Sequence, residues 1–225
     1  MTAAAEHALT DSSFSAAGRT IVVAGAGGAA GRAVCAALTA AGANVIALSS
    51  RAGSLTGIAA ADTAVIDAAD AQQVSSWAED LRGAGTQVDG LIHLVGGWRA
   101  GVSDDDWEWL EHRVLTTLRV LSRELRDDLS ESTEGRLAIV SAASLASPRW
   151  GMANYVALKA AAEAWVQALA NGWRVKGTPT AAVTFVAEQL DDAMIERLAA
   201  ACVGLWTVSH SELNGAVLDL RESVA

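Results

Sequence analysis

Thr20-Ile21-Val22-Val23-Ala24-Gly25-Ala26-Gly27-Gly28-Ala29-Ala30-Gly31 sets the architecture of this chain. A short apolar, β-branched run passes directly into small residues. A helical pattern follows from about Gly31 to Ala41 and stops at Gly42. Strand, glycine turn and helix in that order read as the start of a βαβ unit. Without Cβ atoms, the turn lets backbone N–H groups approach a pyrophosphate closely. The helix N-terminus adds a partial positive charge at the same place. Gly25, Gly28 and Gly31 carry a GxxGxxG spacing, with Gly27, Ala29 and Ala30 completing the candidate cradle.

The alternation continues along the chain. Strand patterns are read at Asn44–Leu48, Thr63–Ile66, Gly90–Val95, Leu137–Ser141, Ala181–Val186 and Ala216–Leu220. Helix patterns lie between them at Ala71–Arg82, Asp104–Leu129, Ala153–Asn171 (ended by Gly172) and Asp191–Ala201. Strands separated by helix-length crossovers imply a parallel sheet, and their unbroken apolar character implies cover on both faces. The expected fold is α/β, a Rossmann-like doubly wound parallel sheet with helices on both faces. Residues 1–18 read as a flexible leader and residues 19–225 as a single dinucleotide-binding domain.

Composition narrows the function classes. Of 225 residues, 52% are apolar, which excludes a disordered chain. No apolar run is long enough to span a bilayer, and no secretory signal is visible. Cys35 and Cys202 are the only cysteines, without a CxxC pair, which argues against a disulfide framework or a metal site and fits a cytoplasmic location. A formal charge of −10 repels phosphate backbones and argues against nucleic acid as a partner.

The second strand runs into Ser49-Ser50-Arg51, where a carboxylate would accept the ribose 2′-hydroxyl of NAD. An arginine without a neighbouring carboxylate favours the 2′-phosphate of NADP(H), with NAD(H) still open. Asp67, closing the third strand, suits either the adenine amino group or a turn cap. The sharpest signal is Asn154-Tyr155-Val156-Ala157-Leu158-Lys159. Tyr155 is the only tyrosine and Lys159 one of two lysines. Four residues apart on a helix, they share one face. A nearby ammonium favours the phenolate, which makes the phenol a proton donor or acceptor near neutral pH.

With these motifs the chain resembles the short-chain dehydrogenase/reductase family over about Arg19 to Leu220. That resemblance implies hydride transfer between NAD(P)(H) and a carbonyl or alcohol. It implies Tyr155 as the proton carrier, Lys159 on the nicotinamide ribose, and a serine on the reacting oxygen. The commonest family spacing lands on Ala142. Ser141, at the strand end, is preferred over Ser144 in the following loop because it is better fixed.

The family's NNAG segment stands here as His93-Leu94-Val95-Gly96, with Gly97 following, so Val95, Gly96 and Gly97 are the candidate cofactor contacts. The asparagine that in the family kinks the long middle helix and holds a relay water is missing; Thr116 or Thr117 could substitute for it, but both read more readily as ordinary helix residues. The Pro-Gly after the sixth strand is absent as well, which shortens the substrate cover. Trp98 and Trp150 follow the fourth and fifth strands, at the ligand-binding ends, and are candidate pocket walls. The Ala-rich Tyr-Lys helix implies a homodimer or homotetramer. A non-catalytic dinucleotide-binding relative, or an isomerase or dehydratase using the same tyrosine, are the alternative readings.

Overall fold

The computed structural model describes residues 16–221. In chain order the elements are β1 (Thr20–Ala24), α1 (Ala29–Ala40), β2 (Asn44–Ser49), β3 (Asp62–Val65), α2 (Ala71–Gly83), β4 (Gly90–His93), α3 (Asp104–Glu111), a π turn (His112–Thr116), α4 (Thr117–Glu124), α5 (Arg126–Glu131), β5 (Arg136–Ala142), α6 (Ala153–Lys176), β6 (Ala181–Ala187), α7 (Asp192–Gly204), α8 (His210–Leu213) and β7 (Ala216–Asp219). The strands are apolar at consecutive positions because helices cover both faces. Ile21 and Val23 of β1 pack with Val34, Cys35 and Leu38 of α1. Val22 and Ala24 face the other way, into a core holding Leu110, Leu121 and Leu158.

The seven strands are parallel and lie in the order β3-β2-β1-β4-β5-β6-β7. The expected Rossmann-like doubly wound sheet is therefore the fold. The chain moves outward in one direction from β1 and in the other from β4. The loops after these two neighbours diverge, which opens a crevice at the carboxyl ends of the strands. Among the described residues, no helix is long and apolar enough to cross a membrane.

Two helix expectations need correction. The helix expected to stop at Gly172 runs on to Lys176 and ends at Gly177, whose φ is +68°. The next side chain, Trp173, is fully buried, and its indole N–H donates to Ser130 Oγ at 2.9 Å. Burying that ring outweighs the roughly 1 kcal/mol that a mid-helix glycine costs. The single helix expected over Asp104–Leu129 is instead α3, the π turn, α4 and α5, with a break at Leu125 (φ −88°, ψ 5°). Most of the expected leader lies outside the described residues. Within them, Ala16 is fully buried and the Gly18 N–H donates to the Gly42 carbonyl at 2.9 Å.

Gly31 shows how tightly α1 seats on the turn. A Cβ there would meet the Gly25 carbonyl oxygen at 2.4 Å and Ala26 Cα at 2.6 Å, both backbone atoms. At Gly28 the nearest atom would be 3.6 Å away. Gly31→Ala should therefore cost about 2 kcal/mol of stability, while Gly28→Ala should stay within about 0.5 kcal/mol. Urea denaturation midpoints of the two variants check this.

Candidate active site

Tyr155 and Lys159 lie in the first two turns of α6. Lys159 reaches across to β5, where its Nζ donates to the Val140 carbonyl at 2.7 Å. It lies 5.9 Å from the centroid of the Tyr155 ring. The next residue of β5 is Ser141, whose Oγ is buried and has no hydrogen-bond partner. A buried hydroxyl without a partner costs on the order of 1–3 kcal/mol. An incoming oxygen that accepts from it removes that cost.

These three side chains share the wall of one cavity of about 550 Å³, together with His93, Gly97 and Trp98. Ser144 sits in a 3-10 turn (Ala143–Ala146) and has a buried, unpartnered hydroxyl too, but it does not line this cavity. Trp98 is 63% exposed at the cavity, whereas Trp150 is 80% exposed and not part of its wall. Their loops touch, since the Gly101 N–H donates to the Gly151 carbonyl at 2.9 Å. The cover beyond β6 is short. Glu188, Gln189 and Leu190 line the cavity, and Asp191 already caps α7 by accepting from the Met194 N–H at 2.9 Å.

A second cavity of about 580 Å³ is lined by Gly25, Gly27, Gly28, Ser49, Ser50, Arg51 and Asp67. Leu94, Val95 and Gly96 belong to both cavities, so together they form one groove over the strand ends. Gly25 (φ +83°) lets the first turn press on the loop after β4, where a Cβ would lie 2.8 Å from Val95 N. Gly96 has nothing within 4 Å of an added Cβ, so its bare backbone faces open groove. The N-cap of α1 is Gly28, with no side chain to occupy the free N–H groups of the first turn. Ala30 lines the first cavity, Ala29 is exposed beside it, and Gly31 is buried against the turn.

The groove's rim has mixed polarity. The Arg51 guanidinium has no hydrogen-bond or ion-pair partner among the described residues, while the Arg51 N–H donates to Ser49 Oγ at 3.3 Å. Asp67 caps its own turn by accepting from the Ala69 N–H at 3.0 Å, and its other oxygen lies 3.7 Å from His112 Nε2. Sequence reading missed Trp109, His112 and Arg113, which face Asp67 across the groove. Arg99 and Arg113 both lie over the Trp109 ring, at 4.4 and 4.6 Å from its centroid. Trp109, His112 and Arg113 belong to α3 and the π turn that follows it, and only the fold brings them to the groove.

Thr117 is not an ordinary helix residue. It is buried, and its Oγ1 lies 2.9 Å from His93 Nε2, at the end of the π turn. The sequence did carry a hint, since His93 is the one polar residue inside the apolar run Leu91-Ile92-His93-Leu94-Val95.

Burial dominates the charges. It pushes the Lys159 ammonium down to about 8, an effect that Glu163 opposes. It also pushes the Tyr155 phenol above its ordinary value, which corrects the expectation that the cation alone would lower it. His93 falls to about 3, first through burial and then through the nearby Lys159 charge, so its ring is neutral.

Residues 19–188 match the family described as short chain dehydrogenase. Two solved structures share the fold. One is a protein from Pseudomonas syringae assigned to the short chain dehydrogenases (TM-score 0.80, 22% identity, 92% of this chain and 96% of that one). The other is the ligand-free aldohexose dehydrogenase of Thermoplasma acidophilum (TM-score 0.79, 17% identity, 92% of this chain and 94% of that one). No curated protein sequence matches.

Lys159 should leave a mark on stability. Its folded value of about 8 lies below the ordinary 10.5, so between these limits the unfolded chain binds more protons. Relative to Lys159→Met, the wild-type unfolding free energy should therefore rise with pH from about 8 toward 10; the Cys35 and Cys202 thiols, pushed up by burial, oppose that rise in both proteins and cancel in the difference. Urea denaturation across that range measures it.

Proposed function

The chain belongs to the short chain dehydrogenase family, and on that premise we propose that it is an NADP(H)-dependent oxidoreductase interconverting a small or medium-sized carbonyl compound and its alcohol. The observation that carries this reading is the meeting of Tyr155, Lys159 and the unpartnered Ser141 hydroxyl in one cavity that continues into a glycine-floored groove. The groove fits a dinucleotide. Its walls lack Cβ atoms at Gly25, Gly27, Gly28 and Gly96, and the free N-terminal turn of α1 suits a pyrophosphate. When bound, the cofactor supplies or takes up the hydride.

The protein's own groups do the rest. Ser141 Oγ donates to the substrate oxygen and fixes it beside Tyr155. In reduction the Tyr155 hydroxyl passes its proton to that oxygen as the carbonyl carbon gains the hydride; in oxidation the proton returns. Lys159 stabilises the phenolate left behind and binds the ribose hydroxyls. Arg51, with Ser49 and Ser50 beside it and no carboxylate there, favours the 2′-phosphate. Trp98 forms an apolar wall for the substrate. On α6, Ala157, Ala160, Ala164 and Ala168 form an exposed stripe of small residues that suits a homodimer or homotetramer. A cytoplasmic location is part of the same reading.

The absent asparagine and the short cover after β6 favour one other reading, a dinucleotide-binding relative without catalysis. Calorimetry with NADPH and NADH, followed by a carbonyl panel, separates the two. Tyr155→Phe should leave cofactor affinity within about twofold and lower turnover about 10²–10⁴-fold. Arg51→Ala should weaken NADPH about tenfold and NADH hardly at all. Binding of neither cofactor would end the reading. Binding without turnover of any carbonyl or alcohol would favour the non-catalytic relative.

A further inference from the structure

Trp109 of α3 is half-buried, and its ring is held from more than one side. It presses on the loop after β4, where a Cβ added at Gly97 would meet Trp109 Cη2 at 2.6 Å. The guanidinium groups of Arg99 and Arg113 both lie over it. The two arginines are not held alike. Arg99 also has a carboxylate, since its Nη1 lies 3.6 Å from Asp106 Oδ1. The exposed Arg113 guanidinium has no hydrogen-bond or ion-pair partner among the described residues, so the Trp109 ring is what holds it.

Trp109 and Arg113 line the cavity that also contains Gly28, Arg51 and Asp67. On the oxidoreductase reading the nicotinamide lies beside Tyr155 and Lys159 in the other cavity, and the pyrophosphate lies at the free turn of α1. The adenosine half then occupies this one. Its ribose falls to Ser49, Ser50 and Arg51, and its base lies beyond, toward Asp67. Ile66, Ala68 and Leu94 give that end an apolar lining. Across from Asp67 stands a flat cation seated on a fixed ring. The facing carboxylate repels a phosphate there, whereas the amino group of adenine suits it. A guanidinium plane stacks on a purine as it does on an indole. One already pinned by Trp109 loses little freedom when a base settles against it.

We propose that Arg113 is a further cofactor-binding residue, a cationic platform seated on Trp109 that stacks with the adenine ring of the dinucleotide. Trp109 is its positioning residue. The proposal rests on the oxidoreductase reading for the identity of the ligand, and the geometry that carries it is present in the free protein.

Three ligands separate the base from the phosphates. Adenine is common to NADPH and NADH, the 2′-phosphate belongs to NADPH alone, and reduced nicotinamide mononucleotide has neither. By calorimetry, Arg113→Ala should weaken NADPH and NADH in step, each about tenfold, and leave the mononucleotide within about twofold. Arg113→Lys keeps the charge but not the plane, and should weaken both dinucleotides nearly as far. Trp109→Leu should reproduce the loss, and combining it with Arg113→Ala should add nothing to the larger single effect.

A loss confined to NADPH would mark a 2′-phosphate contact. Affinity restored by Arg113→Lys would mark a pyrophosphate contact. Unchanged NADH binding in Arg113→Ala would mark a stack that only packs. Each of these overturns the proposal. Should Trp109→Leu fail to fold, as seen by its thermal melt, the exposed Arg113 series still decides. Wild-type protein that binds neither dinucleotide overturns the oxidoreductase reading and this proposal with it. Wild-type binding that Arg113→Ala leaves intact overturns the proposal alone.

Discussion

A buried ammonium has to have its protons accepted, and Lys159 meets that demand by bonding the Val140 carbonyl on the neighbouring strand. That contact ties the start of α6 to the end of β5. It fixes the helix where Tyr155, one turn earlier, faces the same cavity as Ser141, one residue further along the strand. Burial sets the charges as well as the geometry. It weakens the hold of Lys159 on its proton and strengthens that of Tyr155, so the two values, close together in water, move apart, the ammonium below and the phenol above.

The cavity exists because of the sheet order. Between β1 and β4 the winding reverses, and the turn after β1 would collide with the loop after β4 if it carried a side chain at its closest approach. Gly25 resolves this on one side, where a Cβ would lie within 2.8 Å of the Val95 nitrogen. Gly96 leaves its own side bare toward the groove. Close packing beneath and open space above thus come from the same class of residue for opposite reasons.

Much of this was legible in the sequence, and the rest was hidden for identifiable reasons. Strands buried on both faces announce themselves as apolar runs, so the alternation gave the sheet, and the spacing of Tyr155 and Lys159 gave one helix face. Gly172 misled because local propensity costs a helix little when the following residue is a fully buried Trp173. The π turn has no sequence signature, because Thr116 and Thr117 look like any helical pair until β4 packs against them. His93 and Thr117 are 24 residues apart, and only the pairing of β4 beneath α4 joins them. The same holds for Arg113 and Trp109 facing Asp67. These are contacts between elements, which periodicity within an element does not report. Ser141 and Ser144 could be ranked by how firmly each is held, but only the fold puts one on the cavity wall and the other off it.

The departures from the family pattern are coherent when taken together. An asparagine at the β4 end offers one amide to its surroundings, and a helix asparagine kinks the chain through its backbone. Here an imidazole stands at the strand end and a threonine in the helix, and the helix ladder is broken just before that threonine by the π turn. Two rigid partners bound to each other need no mobile water between them to keep their geometry. The break in the helix ladder is then supported by the threonine hydroxyl on the Arg113 carbonyl, so one hydrogen-bonded unit both shapes the helix and anchors the floor of the site. A substitution at either end is felt at the other, which is why the pair has to be considered as one structural element and not as two isolated replacements.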